Sequence, residues 1–240
     1  MQIQENQIIG ELVAKDYRSA SVFKKYGIDF CCQGNRTISD ACVKKEVDTI
    51  SVLSDLESAI QKQDESTSAY TTWPLDLLAD YIEKKHHRYV VEKSLEIKPY
   101  LDKICKFHGE RHPELMEISK NFNASADELA HHMKKEEQIL FPYVRHLVNS
   151  KLKGLKLDVP AFGTIQNPIQ MMMNEHTTEG ERFRMIAKLS NNYTPPLDAC
   201  NTYKVTFALL KEFEYDLHLH IHLENNILFP KAIDLEKSLI

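Results

Sequence analysis

Two His-x-x-x-Glu motifs are the residues of this chain best suited to chemistry. They occupy His132/Glu136 and His220/Glu224, and both belong to a longer repeated pattern, H-x-x-x-E-x-x-I-L-F-P. Side chains four residues apart on an α-helix project from the same face, one turn apart. The imidazole and the carboxylate of each motif can therefore reach one point. A buried glutamate needs such a partner, because an unpaired buried charge is costly.

An upstream histidine accompanies each motif. His87 precedes His132 by 45 residues, and His176 precedes His220 by 44 residues. A single core histidine is more often a packing residue than a ligand, but this matched repetition favours a metal site. The predicted ligands are four imidazoles and two carboxylates around one cavity: His87, His132, Glu136, His176, His220 and Glu224.

Neighbouring histidines offer alternative registers. His218 and His222 are also four residues apart, but only His220 reproduces the pattern of the first copy. His86 stays open as an alternative to His87, which we favour.

The ligand set predicts two iron ions rather than one zinc ion. Six nitrogen and oxygen ligands exceed the four of a tetrahedral zinc site, and imidazole with carboxylate suits iron or manganese. If each carboxylate bridges two ions, each ion receives two histidine nitrogens and two glutamate oxygens. A bridging oxo or hydroxo group would make five ligands and leave one octahedral position for a small molecule.

Two further glutamates lie close to the motifs in sequence. Glu128 is four residues before His132, and Glu175 directly precedes His176. They are predicted either to hydrogen-bond the metal ligands and carry protons or to belong to a solvated helix face.

Adjacent cysteines at Cys31 and Cys32 mark the amino-terminal part of the chain. The glycines around them, Gly27 and Gly34, predict a tight turn that exposes the thiols. Nearby basic residues would favour the thiolate; they are Lys24, Lys25 and Arg36. Redox, metal or nitrosyl chemistry is one interpretation, and packing of two small residues is the other. The remaining cysteines show no pairing pattern and are interpreted as packing residues: Cys42, Cys105 and Cys200.

These residues must be positioned by helices. The chain of 240 residues has only 7 glycines, and its apolar residues recur at helical spacing, so the predicted fold class is all-α. A polar stretch separates a small helical domain at 1–62 from a larger unit at 74–240, with a linker at 63–73. The larger unit is expected to form an up-down four-helix bundle.

Four helices are predicted in the larger unit. The first runs from Pro74 to about Lys98, where Pro99 ends or kinks it and residues 100–107 continue it. The second runs from Pro113 to about Val148 with a weak point at 121–125. The third and fourth cover about 164–190 and 197–235.

Composition excludes several classes of protein. A net charge of −5 gives no electrostatic footprint for nucleic acid. No apolar run is long enough for a membrane span, and the amino terminus does not have the pattern of a signal peptide. Five cysteines, an odd number, argue against a disulfide framework. A cytoplasmic protein is expected.

At these motifs the sequence resembles the repair-of-iron-centres (RIC) family of di-iron proteins. Residues 22–32 (VFKKYGIDFCC) resemble the family's small cysteine-bearing domain. The remainder resembles its hemerythrin-like domain, most clearly at 109–113, 135–142, 175–176 and 220–230. One departure is Gln33, where the family usually has the first glycine of Cys-Cys-Gly-Gly.

The resemblance implies a μ-oxo-bridged di-iron site with the four histidines as ligands and Glu136 and Glu224 as bridges. It also implies repair of iron–sulfur clusters damaged by nitric oxide or oxidants, with damaged iron–sulfur proteins as partners and a homodimer as the assembly. Glu128 and Glu175 match family positions near the route to the irons.

Three functions follow as hypotheses. The first is cluster repair by iron donated from a labile site. The second is an enzyme that reduces nitric oxide to nitrous oxide at two adjacent ferrous ions. The third, a hemerythrin-like module that binds or senses dioxygen, is disfavoured because it has no use for Cys31 and Cys32.

Overall fold

Helices account for the regular structure of the described chain. The computed structural model describes residues 3–61 and 70–240, and in these ranges strand-like pairing is limited to one isolated antiparallel bridge, between Ile8 and Thr37. The prediction of an all-α fold is therefore confirmed.

The amino-terminal unit contains four short helices. They are α1 (Ile9–Lys15), α2 (Arg18–Lys25), α3 (Ile38–Lys45) and α4 (Thr49–Gln61). Thr37 caps α3, because its hydroxyl accepts the N–H of Asp40 at 3.0 Å. The loop between α2 and α3 carries Cys31 and Cys32. Most of the predicted linker at 63–73 lies outside the described residues, and 70–72 form a single 3₁₀ turn.

The larger unit is built from four long rods. The seven α-helices in them are α5 (Leu75–Tyr81), α6 (Arg88–His108), α7 (Glu114–Lys135), α8 (Phe141–Lys153), α9 (Gln166–Leu189), α10 (Asn201–Leu223) and α11 (Phe229–Lys237). Turns of π-helix join α5 to α6, α7 to α8 and α10 to α11. Helix α6 packs against α7 and α10, and α9 packs against the same two helices, which closes the bundle.

Pro99 does not end the first rod. It lies inside α6, which continues to His108. A proline in a helix removes one hydrogen bond and crowds the carbonyl four residues earlier. Here the buried side chains of Ile97 and Leu101 on either side of Pro99 hold the helix in place. Of the two predicted alternatives at Pro99, an end of the helix or a continuation over 100–107, the structure shows the continuation, because tertiary packing outweighs this local cost.

The predicted weak point at 121–125 is also continuous helix. Asn121 and Asn123 turn their side-chain amides back onto the carbonyls of Glu117 and Ser119, at 2.8 and 2.9 Å. These contacts satisfy the asparagine side chains within the helix, so the competition that disfavours asparagine in helices is absent.

The three π-helical turns were not predicted, and each contains candidate ligands. They span Ile82–His87, Glu136–Leu140 and Glu224–Leu228. In the last two, a proline follows as the second residue of the next α-helix, at Pro142 and Pro230. A widened turn before a proline relieves the clash of its ring with the preceding turn. The repeated I-L-F-P sequence therefore explains why both H-x-x-x-E motifs end in a π turn.

A layer of buried polar residues divides the apolar core of the bundle. One cluster combines the amino-terminal unit with the parts of α6, α7, α9 and α10 on one side of the polar layer. It includes Phe122, Phe183 and Phe213. The other fills the opposite end, around Phe141 and Phe229. Along each rod, the predicted ligands fall between residues of these two clusters.

The amino-terminal unit packs directly on the bundle. Lys24 forms an ion pair with Glu214 at 2.6 Å, and Asp29 pairs with Arg184 at 2.8 Å. The side-chain amide of Asn226 donates to the carbonyl of Phe30 at 3.2 Å. A methyl group at Gly10 would collide with the Asn226 side chain, so this position requires glycine.

Candidate metal centre

The six predicted ligands lie together in the polar layer. They form two groups of four, whose ligand atoms all lie within 4.8 Å of one another: His87, Glu136, His220 and Glu224 in one, and His132, Glu136, His176 and Glu224 in the other. Both groups share the same two carboxylates. All six side chains are buried, with at most 3% of each residue exposed.

Each carboxylate contacts two imidazoles. Glu136 Oε2 lies 3.4 Å from His87 Nε2 and 3.3 Å from His132 Nε2. Glu224 lies 3.1 Å from the Nε2 atoms of both His176 and His220. The Nε2 atoms of His132 and His176 are 3.0 Å apart. Two ligand atoms about 2.1 Å from one cation and at right angles to each other would be about 3 Å apart, so this spacing fits a shared ion.

Unsatisfied polar atoms at the centre test whether a cation fits. Both oxygens of Glu136 and of Glu224 are buried without a hydrogen bond, as are the Nε2 atoms of His87 and His220. Buried groups of this kind almost always have a partner, and all of them carry lone pairs directed at the same space. Cations satisfy such a donor set, so the residues present fit a metal site.

Three of the four imidazoles are oriented through Nδ1. His87 Nδ1 lies 2.7 Å from Glu137 Oε1, and His132 Nδ1 lies 2.7 Å from Glu175 Oε2. The third, His176, has its Nδ1 2.9 Å from Asn225 Oδ1. An oxygen acceptor at Nδ1 keeps the proton there and directs the Nε2 lone pair inward, as metal-binding histidines require.

The fourth imidazole is held differently. His220 Nδ1 is buried and has no hydrogen-bond partner within residues 3–61 and 70–240. Its ring stacks on His86, with ring centroids 5.7 Å apart. His86 Nδ1 lies 3.0 Å from Asp216 Oδ2, and His86 belongs to neither group of four. The geometry therefore favours His87 over His86 as the inward-facing histidine.

The two buried carboxylates, Glu136 and Glu224, and the neighbouring imidazoles shift one another's pKa values. Burial and the facing Glu224 raise the pKa of Glu136, but the neighbouring imidazoles outweigh both and leave it below the usual value. The pKa of Glu224 is well below its usual value because His220 and His176 offset the cost of burial. Burial disfavours protonation of His132, but Glu136 and Glu175 raise its pKa to about 10, so a metal ion binding at Nε2 would displace a proton from that nitrogen. In His220, burial dominates and lowers the pKa.

Glu175 and Glu128 lie in different surroundings. Glu175 bonds His132 and is also paired with Lys135; the His132 hydrogen bond is the main cause that lowers its pKa to about 2. Glu128 is 59% exposed and pairs with Arg182 at 2.9 Å. Only Glu175 has the predicted hydrogen bond to a candidate ligand. The Glu128 carboxylate instead matches the alternative of a solvated helix face.

The cysteine loop lies against α9 beside His176. Cys32 Sγ donates to the His176 carbonyl at 3.3 Å, and the two thiols are 3.8 Å apart. Asp29 Oδ1 accepts the backbone N–H groups of both cysteines, at 3.1 and 2.9 Å. Together with Asp29 the two thiols form a third group of possible metal-binding side chains.

The predicted exposure of the thiols was wrong. Cys31 is only 4% exposed and Cys32 is half-buried. The basic residues expected to favour a thiolate bind elsewhere: Lys24 to Glu214, Lys25 to Asp55 and Arg36 to the carbonyl of Gln33. The hydrogen bond with Cys32, burial and the nearby Asp29 carboxylate all raise the pKa of Cys31 well above its usual value. The fold therefore shields these thiols, and the surroundings of Cys31 disfavour its thiolate.

Several residues of the centre were not recognised in the sequence. Glu137 and Asn225 each directly follow the glutamate of a motif, and each bonds the upstream histidine of its own hairpin. Their equivalent places in the repeat were a signal that could have identified them. Glu179, three residues after His176, is a further buried glutamate that belongs to neither group of four; it is 3% exposed and accepts a hydrogen bond from Ser125. Helical spacing alone cannot distinguish it from a surface glutamate.

Known families match both parts of the chain. Residues 5–60 match ScdA_N, a domain of unknown function (DUF542). Residues 78–232 match the hemerythrin HHE cation binding domain. None of the helices in the described ranges combines the length and the hydropathy that a bilayer span requires.

Related proteins match over nearly the whole length. The iron-sulfur cluster repair protein ScdA of Staphylococcus haemolyticus is 30% identical over 95% of this chain and 99% of its own length. The iron-sulfur cluster repair protein YtfE of Yersinia pestis is 34% identical over 95% of this chain and 97% of its own. The YtfE protein of Yersinia pseudotuberculosis is similar at 33% identity. With both domains matched in the same order, the chain belongs to the repair-of-iron-centres family, which joins an ScdA_N domain to a hemerythrin HHE cation-binding domain.

Proposed function

We propose that this protein repairs damaged iron–sulfur clusters by donating iron from a labile di-iron site. The observation that carries the proposal is the pair of buried four-residue groups that share Glu136 and Glu224. The names of the relatives, iron-sulfur cluster repair proteins, support the same role. The clients would be iron–sulfur proteins damaged by nitric oxide or oxidants.

The two groups would hold two iron ions, with the shared carboxylates and an oxo group as bridges. His87 and His220 would bind one ion, and His132 and His176 the other. Such a centre supplies ferrous or ferric iron and, when reduced, sites for small diatomic ligands. A neutral imidazole and a carboxylate are moderate ligands compared with thiolate, which suits a site that must release its iron.

The protein's own residues prepare the site in three ways. Glu137, Glu175 and Asn225 fix the tautomers of three histidines, so that Nε2 is available as a ligand. The carboxylates remain ionised despite complete burial. The cysteine loop covers α9 next to His176 and provides two thiols near the centre.

Restoration of a damaged enzyme tests the proposal. Reduced, iron-loaded protein is added to a purified iron–sulfur enzyme inactivated by nitric oxide, and recovery of that enzyme's activity is followed. We expect recovery with the wild type and none with His132→Ala, whose centre loses a ligand. His131→Ala is the matched control, because the adjacent His131 is exposed.

Two results would overturn the donor mechanism. One is full recovery with protein from which iron has been removed, since then no iron is donated. The other is equal recovery with His132→Ala and His131→Ala. Iron quantitation on each preparation, together with a visible spectrum for the oxo-to-iron band, links the outcome to the occupancy of the centre.

Reduction of nitric oxide to nitrous oxide is the second candidate. It is supported by the sharing of both carboxylates, because two ions bound by the two groups would lie side by side, as coupling of two nitric oxide molecules requires. Anaerobic headspace analysis distinguishes this reaction. Two ferrous ions would supply the two electrons for one nitrous oxide, with two protons taken up and one water formed, so the assay contains an excess of a chemical reductant. Nitrous oxide formed in repeated turnovers by wild-type protein, and not by His132→Ala, would support this function; the absence of nitrous oxide would exclude it.

The remaining assignments are predictions of the same proposal. They are a cytoplasmic location, a homodimer, and domain limits of 1–62 and 74–240 around a linker at 63–73. Sedimentation analysis of iron-loaded protein would measure the assembly.

A further inference from the structure

Cys200 and His108 form a thiol–imidazole pair at the far end of the bundle. His108 is the last residue of α6, and Cys200 directly precedes α10. The thiol sulfur lies 3.2 Å from His108 Nε2. Along α6, the distance from His87 to His108 is about 30 Å at 1.5 Å per residue. The pair is therefore separate from the candidate metal centre, and the expectation that Cys200 is a packing residue was wrong.

The imidazole is held in place while the sulfur is accessible. Of the five cysteines, Cys200 is the exposed one. His108 is only 9% exposed, and its Nδ1 is buried without a hydrogen-bond partner in the described part of the chain. The edge of its ring packs against Tyr203, with centroids 5.4 Å apart and an interplanar angle of 88°. Burial and this contact fix the ring, so that Nε2 is directed at an exposed thiol.

Cys200 lies at the amino-terminal end of α10. Cys200 occupies the N-cap position of a helix of 23 residues, its side chain makes no capping hydrogen bond, and the first turn contains no acidic residue. Free N–H groups and the helix dipole at such a terminus stabilise an anion. His108 Nε2 lies 3.2 Å from the sulfur, so a base stands within reach of the thiol proton, as activation of a nucleophile by an adjacent base requires.

Acidic residues nearby are paired away from the sulfur. Asp198 lies two residues before Cys200, but its carboxylate contacts His112 Nε2 at 3.0 Å and Arg111 at 3.1 Å. Glu114 contacts the other ring nitrogen of His112, at 3.2 Å. Negative charge that would oppose a thiolate is thus partly neutralised by this second histidine and the arginine.

We propose that Cys200 is a modification site for small-molecule disulfides, with His108 as the residue that accepts the thiol proton. The Cys200 sulfur attacks one sulfur of the disulfide, forming a mixed disulfide and breaking the sulfur–sulfur bond of the reagent. The small-molecule disulfide is the oxidant. Its other half leaves as a thiolate and takes up the proton held by His108.

The reaction of iron-loaded protein with dithiodipyridine under anaerobic conditions tests this proposal. Release of thiopyridone measures the rate, and mass spectrometry of peptides locates the adduct. We expect one fast equivalent per chain on Cys200, and its loss in Cys200→Ser. In His108→Gln the fast phase should slow by about tenfold or more, because a positioned base contributes at least this much. His146→Gln, which alters an exposed histidine on α8 away from this pair, should react like the wild type.

The pH profile separates proton transfer from a structural role of His108. Without the imidazole, the rate should rise about tenfold per pH unit below the thiol's ordinary range, while the wild type should be much less pH-dependent. The wild-type profile needs no variant at His108, so it remains informative if that variant fails to fold. A steep wild-type profile, an unchanged rate in His108→Gln, or a fast phase that persists in Cys200→Ser would each overturn the proposal.

Discussion

The two copies of the H-x-x-x-E motif share a pattern but have different surroundings. In the first copy, Glu137 is 41% exposed on the surface of the bundle. In the second copy, the equivalent Asn225 is buried, and its amide donates to the carbonyl of Cys31 at 3.2 Å while its oxygen contacts His176. The ligands of both copies are buried, but the outer residue of the first copy faces solvent, whereas that of the second copy is covered by the amino-terminal unit.

The difference shows how a repeat acquires separate roles. A carboxylate suffices at the solvent-facing position because water can satisfy its remaining lone pairs. At the covered position an amide is needed, since it accepts from an imidazole on one side and donates to a carbonyl on the other. The next residue, Asn226, extends the contact to Phe30 and has no counterpart bond at Gln138 among the described residues.

The largest expected effect comes from changing Glu136 or Glu224, the two carboxylates that both groups of four share. Glu136→Gln or Glu224→Gln removes a ligand common to both groups of four, so iron should fall from about two ions to well below one per chain, as expected when a buried ligand is lost. Iron quantitation by mass spectrometry measures this. Glu137→Gln is the control and should keep most of the iron. Retention of two ions in either bridging variant would contradict the shared-carboxylate arrangement.

Asn225→Leu should distinguish the covered half from the exposed half. It removes the partner of His176 Nδ1 and leaves the Cys31 carbonyl unpaired, so iron affinity should fall by about 10–100-fold and unfolding should be easier by about 1–3 kcal/mol. Chelator competition and urea denaturation provide the two values. Glu137→Leu should lower iron affinity less and leave the stability nearly unchanged. Equal effects in both variants would mean that coverage by the amino-terminal unit affects neither iron affinity nor stability.

Gly10→Ala should disturb only the packing of the amino-terminal unit on the bundle. The added methyl group collides with Asn226, and overpacking of this kind costs about 1–3 kcal/mol. We expect lower stability in urea with an iron stoichiometry close to that of the wild type. Glu11→Ala, at the exposed next position of α1, is the control. Loss of iron in Gly10→Ala without loss of stability would show that the contact serves the centre instead of the docking.

Glu175→Gln should produce the smallest change at the centre. The amide can still accept from His132 Nδ1 but has no charge to attract the imidazole, so iron affinity should fall by about tenfold at most. Glu128→Gln, whose carboxylate pairs with Arg182 on the surface, should leave affinity unchanged, since exposed ion pairs contribute little. A larger loss in Glu128→Gln than in Glu175→Gln would reverse the assignment of the two glutamates.

Much of the centre was predictable because its candidate ligands recur at helical spacing in a repeated motif. The repeat and the upstream histidines predicted the six residues that the fold brings together, and the all-α class followed from the apolar periodicity. Their grouping could be predicted because residues four apart on a helix must face the same way.

What could not be predicted depends on tertiary packing. The exposure of Cys31 and Cys32 was wrong because the loop that carries them lies on α9, and no local pattern reports a contact between residues so distant in sequence. Cys200 was misassigned for the same reason, since His108 lies on another rod. The helix through Pro99 reflects burial on both sides of the proline, which single-residue propensity does not include.

The polar layer between the two apolar clusters has a mechanical consequence. A helical bundle with one continuous apolar core is stabilised by packing along its whole length. In this bundle a layer of buried polar side chains separates two apolar clusters. Cations in this layer would be held by side chains from all four rods, and without them several buried carboxylate and imidazole atoms have no hydrogen-bond partner in the described residues. If the proposed iron is released, the bundle should become less stable, so iron content and resistance to denaturation should fall together.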